Sequence, residues 1–414
     1  MTATASPSPS PAKLSMTQVL LCGAAVVTLS MGIRHGFGLW LQPITLERGW
    51  TRETFALAIA VQNLVWGAAG PFAGALADRY GAFRVLVIGT LFYSAGLVLM
   101  ALSTSGLAFM GSAGVLIGMA QAGTTYAIVY GVIGRNVAPE KRSWAMGVAA
   151  AAGSFGQFLM VPVENWLIGG FGWQQALFVL GCAALAILPL ATGLREPAAT
   201  AGGHRGPHQS MGAALREAFG YPSFQLLMAG YFVCGFQVVF IGVHLPSYLK
   251  DHGLTPDVAT TALALVGLFN VFGTYAAGTL GARLPKRYIL SSIYFLRAIV
   301  IATFVLAPLT PMSVYLFAAA IGFLWLSTVP PTNAVIAQIF GVQYLSMLGG
   351  FVFLSHQVGS FLGAWLGGKL YGSTGSYDIV WWLAVALGIF AGIVNLPVRE
   401  TAIERGVRPE TAAA

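Results

Sequence analysis

Gly74-Ala75-Leu76-Ala77-Asp78-Arg79-Tyr80-Gly81-Ala82-Phe83-Arg84 is the stretch on which the reading of this chain turns. It is a short polar turn set between two long apolar runs. A degenerate copy, Gly278-Thr279-Leu280-Gly281-Ala282-Arg283, stands 204 residues later. At the same offset Gly38 falls on Gly242, and Gly49-Trp50-Thr51 matches Gly253-Leu254-Thr255. Further on the offset is 203: Ser143 falls on Ser346, Gly147 on Gly350, Gly156 on Gly359 and Gly172 on Gly375. Matching glycines alone could be chance, but a register held from Gly38 to Gly172 makes the chain two copies of one unit.

What that unit is follows from composition. Of the 414 residues, 57% are hydrophobic and 8% charged, where soluble domains carry about 25% charged residues. A soluble enzyme of this length is excluded. The 52 glycines lie inside apolar runs, as they do where membrane helices approach closely. The runs are long and unbroken rather than short and alternating, which excludes a β-barrel porin. Runs able to cross a bilayer core of about 30 Å fall near 17–46, 53–77, 82–103, 107–135, 142–167, 173–194, 222–249, 257–281, 287–307, 312–340, 344–371 and 376–397. The expected fold is an all-α membrane protein of twelve transmembrane helices, arranged as two parallel six-helix bundles related by a pseudo-twofold. The expected division is a disordered tail (1–16), a first bundle (17–195), a central loop (196–221), a second bundle (222–398) and a second tail (399–414). The first run continues past Arg34, too long for a signal peptide.

The net charge of +8 is topology signal rather than a nucleic-acid face. One set of span edges carries 15 of the 21 Lys and Arg residues, the other set four, and Arg34 and Arg297 fall inside spans. By the positive-inside bias both termini and the central loop are expected in the cytoplasm. Cys22, Cys182 and Cys234 are far apart, with no metal or disulfide spacing, and are expected to be small buried residues.

A carboxylate flanked by arginines in a tight turn can bond the ends of neighbouring helices. The Gly74–Arg84 stretch resembles the loop signature of the major facilitator superfamily, with Asp78, Arg79 and Arg84 as its gating residues. In the second copy Ala282 replaces the Asp. The loop Arg135-Asn-Val-Ala-Pro139-Glu140-Lys141-Arg142-Ser-Trp-Ala145-Met-Gly147 is similar to that of the monocarboxylate transporters and the oxalate–formate antiporters. With Gly49-Trp50 and Gly172-Trp173, the resemblance covers nearly the whole chain. It implies a cavity between the halves, near the membrane midplane, that accepts small organic anions. The charged pair of those relatives is not carried over. Thr274 and His356 stand at the antiporters' arginine and lysine positions, Asn270 and Thr274 at the monocarboxylate carriers' Asp/Arg pair, and His35 within about a residue of their first-helix lysine.

A charge at membrane depth costs several kcal/mol unless it is paired or faces water. Arg34 sits near the middle of the first span, and no Asp or Glu is expected at comparable depth, Glu164 being near the outer end of its span. A guanidinium so placed suits a carboxylate bidentately; the alternative is an arginine satisfied by helix-end carbonyls or water. Arg297, mid-span in the ninth helix, is either structural or reaches the same space past Gly273 and Ala277. His35, His244 and His356 lie in cavity-lining spans. Histidine can bind an anion together with a proton, although a lone histidine is more often a neutral core residue. Gln62, Asn63, Gln121, Tyr126, Gln157, Gln237 and Asn270 supply neutral polar groups for ligand contact or interhelical bonding. Phe37, Trp40, Trp325 and Tyr248 are candidate pocket walls, and Pro330-Pro331 a candidate hinge.

The expected substrate-binding set is therefore Arg34, His35, Gln62, Asn63, Gln121, Tyr126, Gln237, Asn270, Arg297 and His356. No phosphate-cradling loop, metal constellation or nucleophile–base motif stands out, so neither an enzyme nor a cofactor is expected. The expected function is secondary active transport of a small organic anion, a monocarboxylate, by proton symport or anion exchange. The alternative is an exporter of amphipathic or drug-like compounds. The expected partners are the anion, protons and membrane lipid, with no nucleic acid, and the chain is expected to be a monomer in a bacterial-type inner membrane.

Overall fold

The computed structural model describes residues 14–196, 210–281, 283–341 and 345–403. Within them the chain is helical, and no strand occurs among the described residues. The first span is α1 (Met16–His35) continued by α2 (Phe37–Arg48). The second is α3 (Arg52–Tyr80) and the third α4 (Ala82–Leu102). The fourth combines α5 (Gly106–Phe109), a π-helical stretch (Met110–Leu116), α6 (Ile117–Thr124) and α7 (Tyr126–Asn136). The fifth is α8 (Pro139–Phe171), and the sixth α9 (Trp173–Ala184) with α10 (Ile187–Thr192). After α11 (Met211–Phe219) come α12 (Pro222–Asp251), α13 (Pro256–Gly281), α14 (Lys286–Leu306), α15 (Pro311–Leu324) with α16 (Val329–Phe340), α17 (Leu345–Thr374) and α18 (Asp378–Asn395).

Eleven stretches among the described residues are long and apolar enough to cross a membrane. The helix α8, with 33 residues, is about 50 Å long at 1.5 Å per residue and completes the twelve. Local chemistry sets the ends. Thr51 caps α3 by accepting the Thr54 N–H, and Thr310 with Ser313 forms a reciprocal capping box on α15. Gly49 and Gly253, equivalent in the repeat, both take left-handed backbone (φ 65° and 81°), which glycine adopts without steric cost.

The repeat is also a repeat of contacts. A Cβ on Gly156 would strike the Thr28 carbonyl oxygen, and one on Gly359 the Phe232 carbonyl oxygen. A Cβ on Gly118 would lie 2.7 Å from the Gln62 carbonyl oxygen, and one on Gly322 2.8 Å from that of Val266. Each pair is the other shifted by the sequence offset. With no apolar gain in moving a side chain from lipid to protein, such backbone approaches supply the packing between helices.

Three expectations are corrected. The run 17–46 is not one helix: it breaks at Gly36, where the Glu164 carboxylate fills the place of a Cβ. The central segment 196–221 contains α11, which buries Ala214 and Ala218 and sets Phe219 against Phe224 and Phe351 (ring centroids 5.5 and 5.3 Å). Of the cysteines only Cys234 is buried; Cys22 is half-buried and Cys182 exposed. The terminal tails 1–13 and 404–414 lie outside the described residues.

Candidate substrate-binding site

The halves meet from the midplane to the face opposite the basic loops. At that face Arg52 on α3 grips Asp251 on α12 with two bonds (2.6 and 2.5 Å), and its Nη1 also donates to the Tyr377 hydroxyl (3.0 Å). Gln42 donates to the same Asp251 (3.1 Å), Lys369 and Trp365 to Glu53 (3.3 Å each), and Asn165 to Asp257 (3.1 Å). Within the second half, His244 Nε2 donates to the Ala364 carbonyl (2.8 Å), and its Nδ1 accepts from the Tyr377 hydroxyl (3.3 Å). Nearer the midplane Asn270 donates to Ser154 (3.2 Å), and His35 Nε2 donates to the Leu263 carbonyl (3.1 Å). Among the described residues no polar contact joins the halves closer to the basic face. There Gly70, Gly74 and Gly350 have open space where a side chain would be.

Arg34 stands in the last turn of α1. Asn63 on α3 donates to its own helix at the Ile59 carbonyl (2.8 Å), which turns its Oδ1 to receive Arg34 Nη2. The guanidinium lies over the Trp66 ring, 4.8 Å from its centroid. Arg34 Nε is buried without an acceptor, and Nη1 has no protein partner among the described residues. No ion pair forms here. The sequence expectation of no acid at this depth is corrected: Glu164 is fully buried against Gly36, two residues beyond Arg34. Its Oε2 accepts the Trp40 N–H (2.9 Å), and its Oε1 has no partner.

An aromatic column carries the site into the second half. Trp66 meets Phe353 on α17 edge to face (5.2 Å, 73°), Phe353 stacks on His356 (5.7 Å, 12°), and His356 lies 5.1 Å from Tyr231 on α12. His356 Nδ1 is 3.1 Å from the side-chain oxygen of Gln357. The stem of Gln357 rests on Gly67, where a Cβ would come within 2.8 Å of it. Thus Arg34, Asn63 and His356 are brought to one seam, together with Trp66, Phe353 and Gln357, which sequence reasoning missed. Tyr126 begins α7 half-buried, with its hydroxyl packed on Gly153.

The other expected residues bond neighbouring helices, with the Gln62 and Gln121 amide oxygens left unpartnered. Gln62 donates to the Ala113 carbonyl (2.7 Å), Gln121 to the Tyr93 hydroxyl (2.9 Å) and Gln237 to the Ala384 carbonyl (2.9 Å). His35 is taken by Leu263. Arg297 does not reach the cavity past Gly273 and Ala277. It is 1% exposed, gives Nε and Nη2 to the Leu324 carbonyl (3.0 and 2.6 Å) and Nη2 to that of Trp325. Asn270 accepts the Leu326 N–H (3.1 Å). Both residues thus satisfy the break between α15 and α16. That break precedes Pro330-Pro331, which sit in the first turn of α16 where missing N–H groups cost nothing. Phe37, Trp40, Trp325 and Tyr248, expected as pocket walls, are buried in the cores of the two halves. Asp78 and Arg79 end α3, but their side chains lie outside the described residues; Arg84 is exposed in the first turn of α4.

Two helical halves related by an internal repeat and packed against each other across the membrane-spanning helices define the fold of a membrane transporter. The chain belongs to the Major Facilitator Superfamily, whose model matches residues 20–344; it is a transporter and not an enzyme. The chain is similar to monocarboxylate transporter 13 of Rattus norvegicus (26% identical, 89% of this chain, 86% of the relative). It is similar to monocarboxylate transporter 11 of Mus musculus (28%, 86% and 80%) and to the uncharacterized MFS-type transporter YcxA of Bacillus subtilis strain 168 (23%, 87% and 88%). In fold it is similar to a bacterial homolog of the human lysosomal transporter Spinster, solved inward-facing and unoccupied (TM-score 0.73, 17% identical, 93% and 98% covered).

Proposed function

We propose that this protein carries a small organic monocarboxylate across a cell (inner) membrane by alternating access, with its basic loops and termini in the cytoplasm. The observation that supports this most directly is Arg34: a guanidinium at membrane depth with no carboxylate bonded to it, one buried N–H without an acceptor and one free edge. A carboxylate matches that fork with two charge-assisted bonds. The Trp66 and Phe353 rings beside it offer an apolar floor to the rest of a small molecule. The monocarboxylate transporters among its relatives favour the same substrate class.

In the proposed cycle the anion enters from the basic side and docks on Arg34. The bundles then rock, the basic face closing through Asp78, Arg79 and Arg84 while the Arg52–Asp251 latch opens. A monoanion moving alone would carry charge, so transport is coupled to a proton or to exchange of a second anion. Uptake of labelled benzoate and lactate into proteoliposomes tests the reading. Saturable uptake by the wild type and none by Arg34→Gln is expected; uptake unaffected by Arg34→Gln overturns it.

A further inference from the structure

The anion site described so far has its cation in one half only. In the second half the Gln357 side chain is 0% exposed, and its Nε2 has no hydrogen-bond partner. A buried amide N–H left unpaired keeps its desolvation penalty uncompensated. The rest of the side chain is fixed. The ring N–H of His356 and the Ser360 hydroxyl both donate to Oε1 (3.1 and 3.3 Å). The stem lies on Gly67, whose lack of a side chain leaves room for it. The amide is therefore held with its oxygen satisfied and its nitrogen free.

Gly67 lies four residues from Asn63, the residue that receives Arg34. Positions i and i+4 share a helix face, separated by about 6 Å along the axis. Arg34 and Gln357 thus approach one face of α3 a single turn apart, from different halves, with Trp66 between them in sequence. A carboxylate that accepts a bond of about 2.9 Å at each oxygen spans such a gap.

We propose that Gln357 is the second-half donor of the carboxylate site, so that the bound anion bridges Arg34 and Gln357 and ties the two bundles together. His356 is then the residue that orients this donor, and the free Nε2 is the group the substrate satisfies. The proposal rests on the monocarboxylate reading above. It adds that occupancy is sensed by both halves, as a carrier needs if loading is to permit rocking.

The test is equilibrium binding of benzoate and lactate to the detergent-purified full chain. The wild type is compared with Arg34→Gln, Gln357→Leu and Gln357→Glu, and the ligand-free melting temperature serves as the check of folding. Gln357→Leu is expected to weaken carboxylate binding by the folded fraction about tenfold (about 1.4 kcal/mol), the melting temperature reporting separately the loss of the acceptor for His356 and Ser360. Gln357→Glu keeps the size and sets a second carboxylate against the ligand, and is expected to abolish binding. If the wild type and both Gln357 variants bind alike while Arg34→Gln does not, the bridge is wrong and the carboxylate reading stands. If the wild type binds neither acid, both fall.

Discussion

Gly38 and Gly242, which the internal repeat makes equivalent, touch each other: a Cβ on Gly38 would strike the Gly242 carbonyl oxygen. The pseudo-twofold axis passes between them, on the face opposite the basic loops. Pro246 and the Val243 carbonyl close the same contact (3.0 and 3.1 Å from that Cβ). A side chain here acts on how the halves meet, because each half's own packing lies elsewhere.

Gly38→Val is therefore expected to separate α2 from α12 and open the far face. The reporter is a single cysteine at Ser247, buried in the parent protein, on a background without the native cysteines. A membrane-impermeant maleimide should label it several-fold faster with Gly38→Val than without. Equal rates would mean that this contact does not hold the face shut.

The Arg52–Asp251 pair is bidentate, yet its side chains remain 15% and 25% exposed, so its worth is set by solvent screening. A double-mutant cycle with Arg52→Gln and Asp251→Asn should give a coupling of about 1 kcal/mol, read by thermal unfolding and shrinking as salt is raised. A coupling near zero at low salt would reduce the pair to a passive contact, leaving the glycine approach as the closing element.

Arg297 and Arg34 are both intramembrane arginines, and they have different partners: backbone carbonyls for Arg297, Asn63 for Arg34. Arg297→Met leaves the Leu324 and Trp325 carbonyls without their donor, at about 1–3 kcal/mol per orphaned group. A lower melting temperature is expected, with carboxylate affinity of the folded fraction changed less than about threefold. Arg297→Lys should recover only part of the stability, because an ammonium cannot reproduce the planar fork. Loss of affinity with stability intact would return Arg297 to the binding site.

Glu164 lies beside the helix break at Gly36 but bonds Trp40, not Arg34. Glu164→Gln keeps an acceptor for Trp40, so carboxylate affinity should stay within about threefold of the parent. Tenfold tighter binding would show that Glu164 competes with the substrate for Arg34.

The fold was legible because its signals are repetitive: long apolar runs, charged turns at their edges, and a glycine register that the structure repeats as Gly156–Thr28 and Gly359–Phe232. The site was legible only where a charge announced itself. Arg34 stands out in any reading, and Asn63 follows one span later. Sequence alone gives Gln62 and Asn63 equal weight, yet successive residues on a helix point apart: Gln62 bonds span four while Asn63 bonds Arg34. Grouping Asn63, Trp66 and Gly67 by their i, i+3, i+4 spacing would have found the missed tryptophan. Gln357 stands next to His356, and what brings it to the seam is its packing on Gly67 of the other half, a contact the sequence does not display. Arg297 misled because its partners are carbonyls freed by a break in another helix, and carbonyls leave no mark in a sequence.

The central claim is that Arg34 holds a carboxylate, and a thermal-shift panel on the detergent-purified protein tests it most directly. Small carboxylates, neutral sugars and cationic drugs are compared on the wild type and on Arg34→Gln, since a ligand that binds the folded state raises its apparent stability. The account predicts a rise with carboxylates alone, lost in Arg34→Gln while the ligand-free melting temperature holds. A rise with sugars or cations and none with carboxylates, or a carboxylate rise that survives Arg34→Gln, would contradict it.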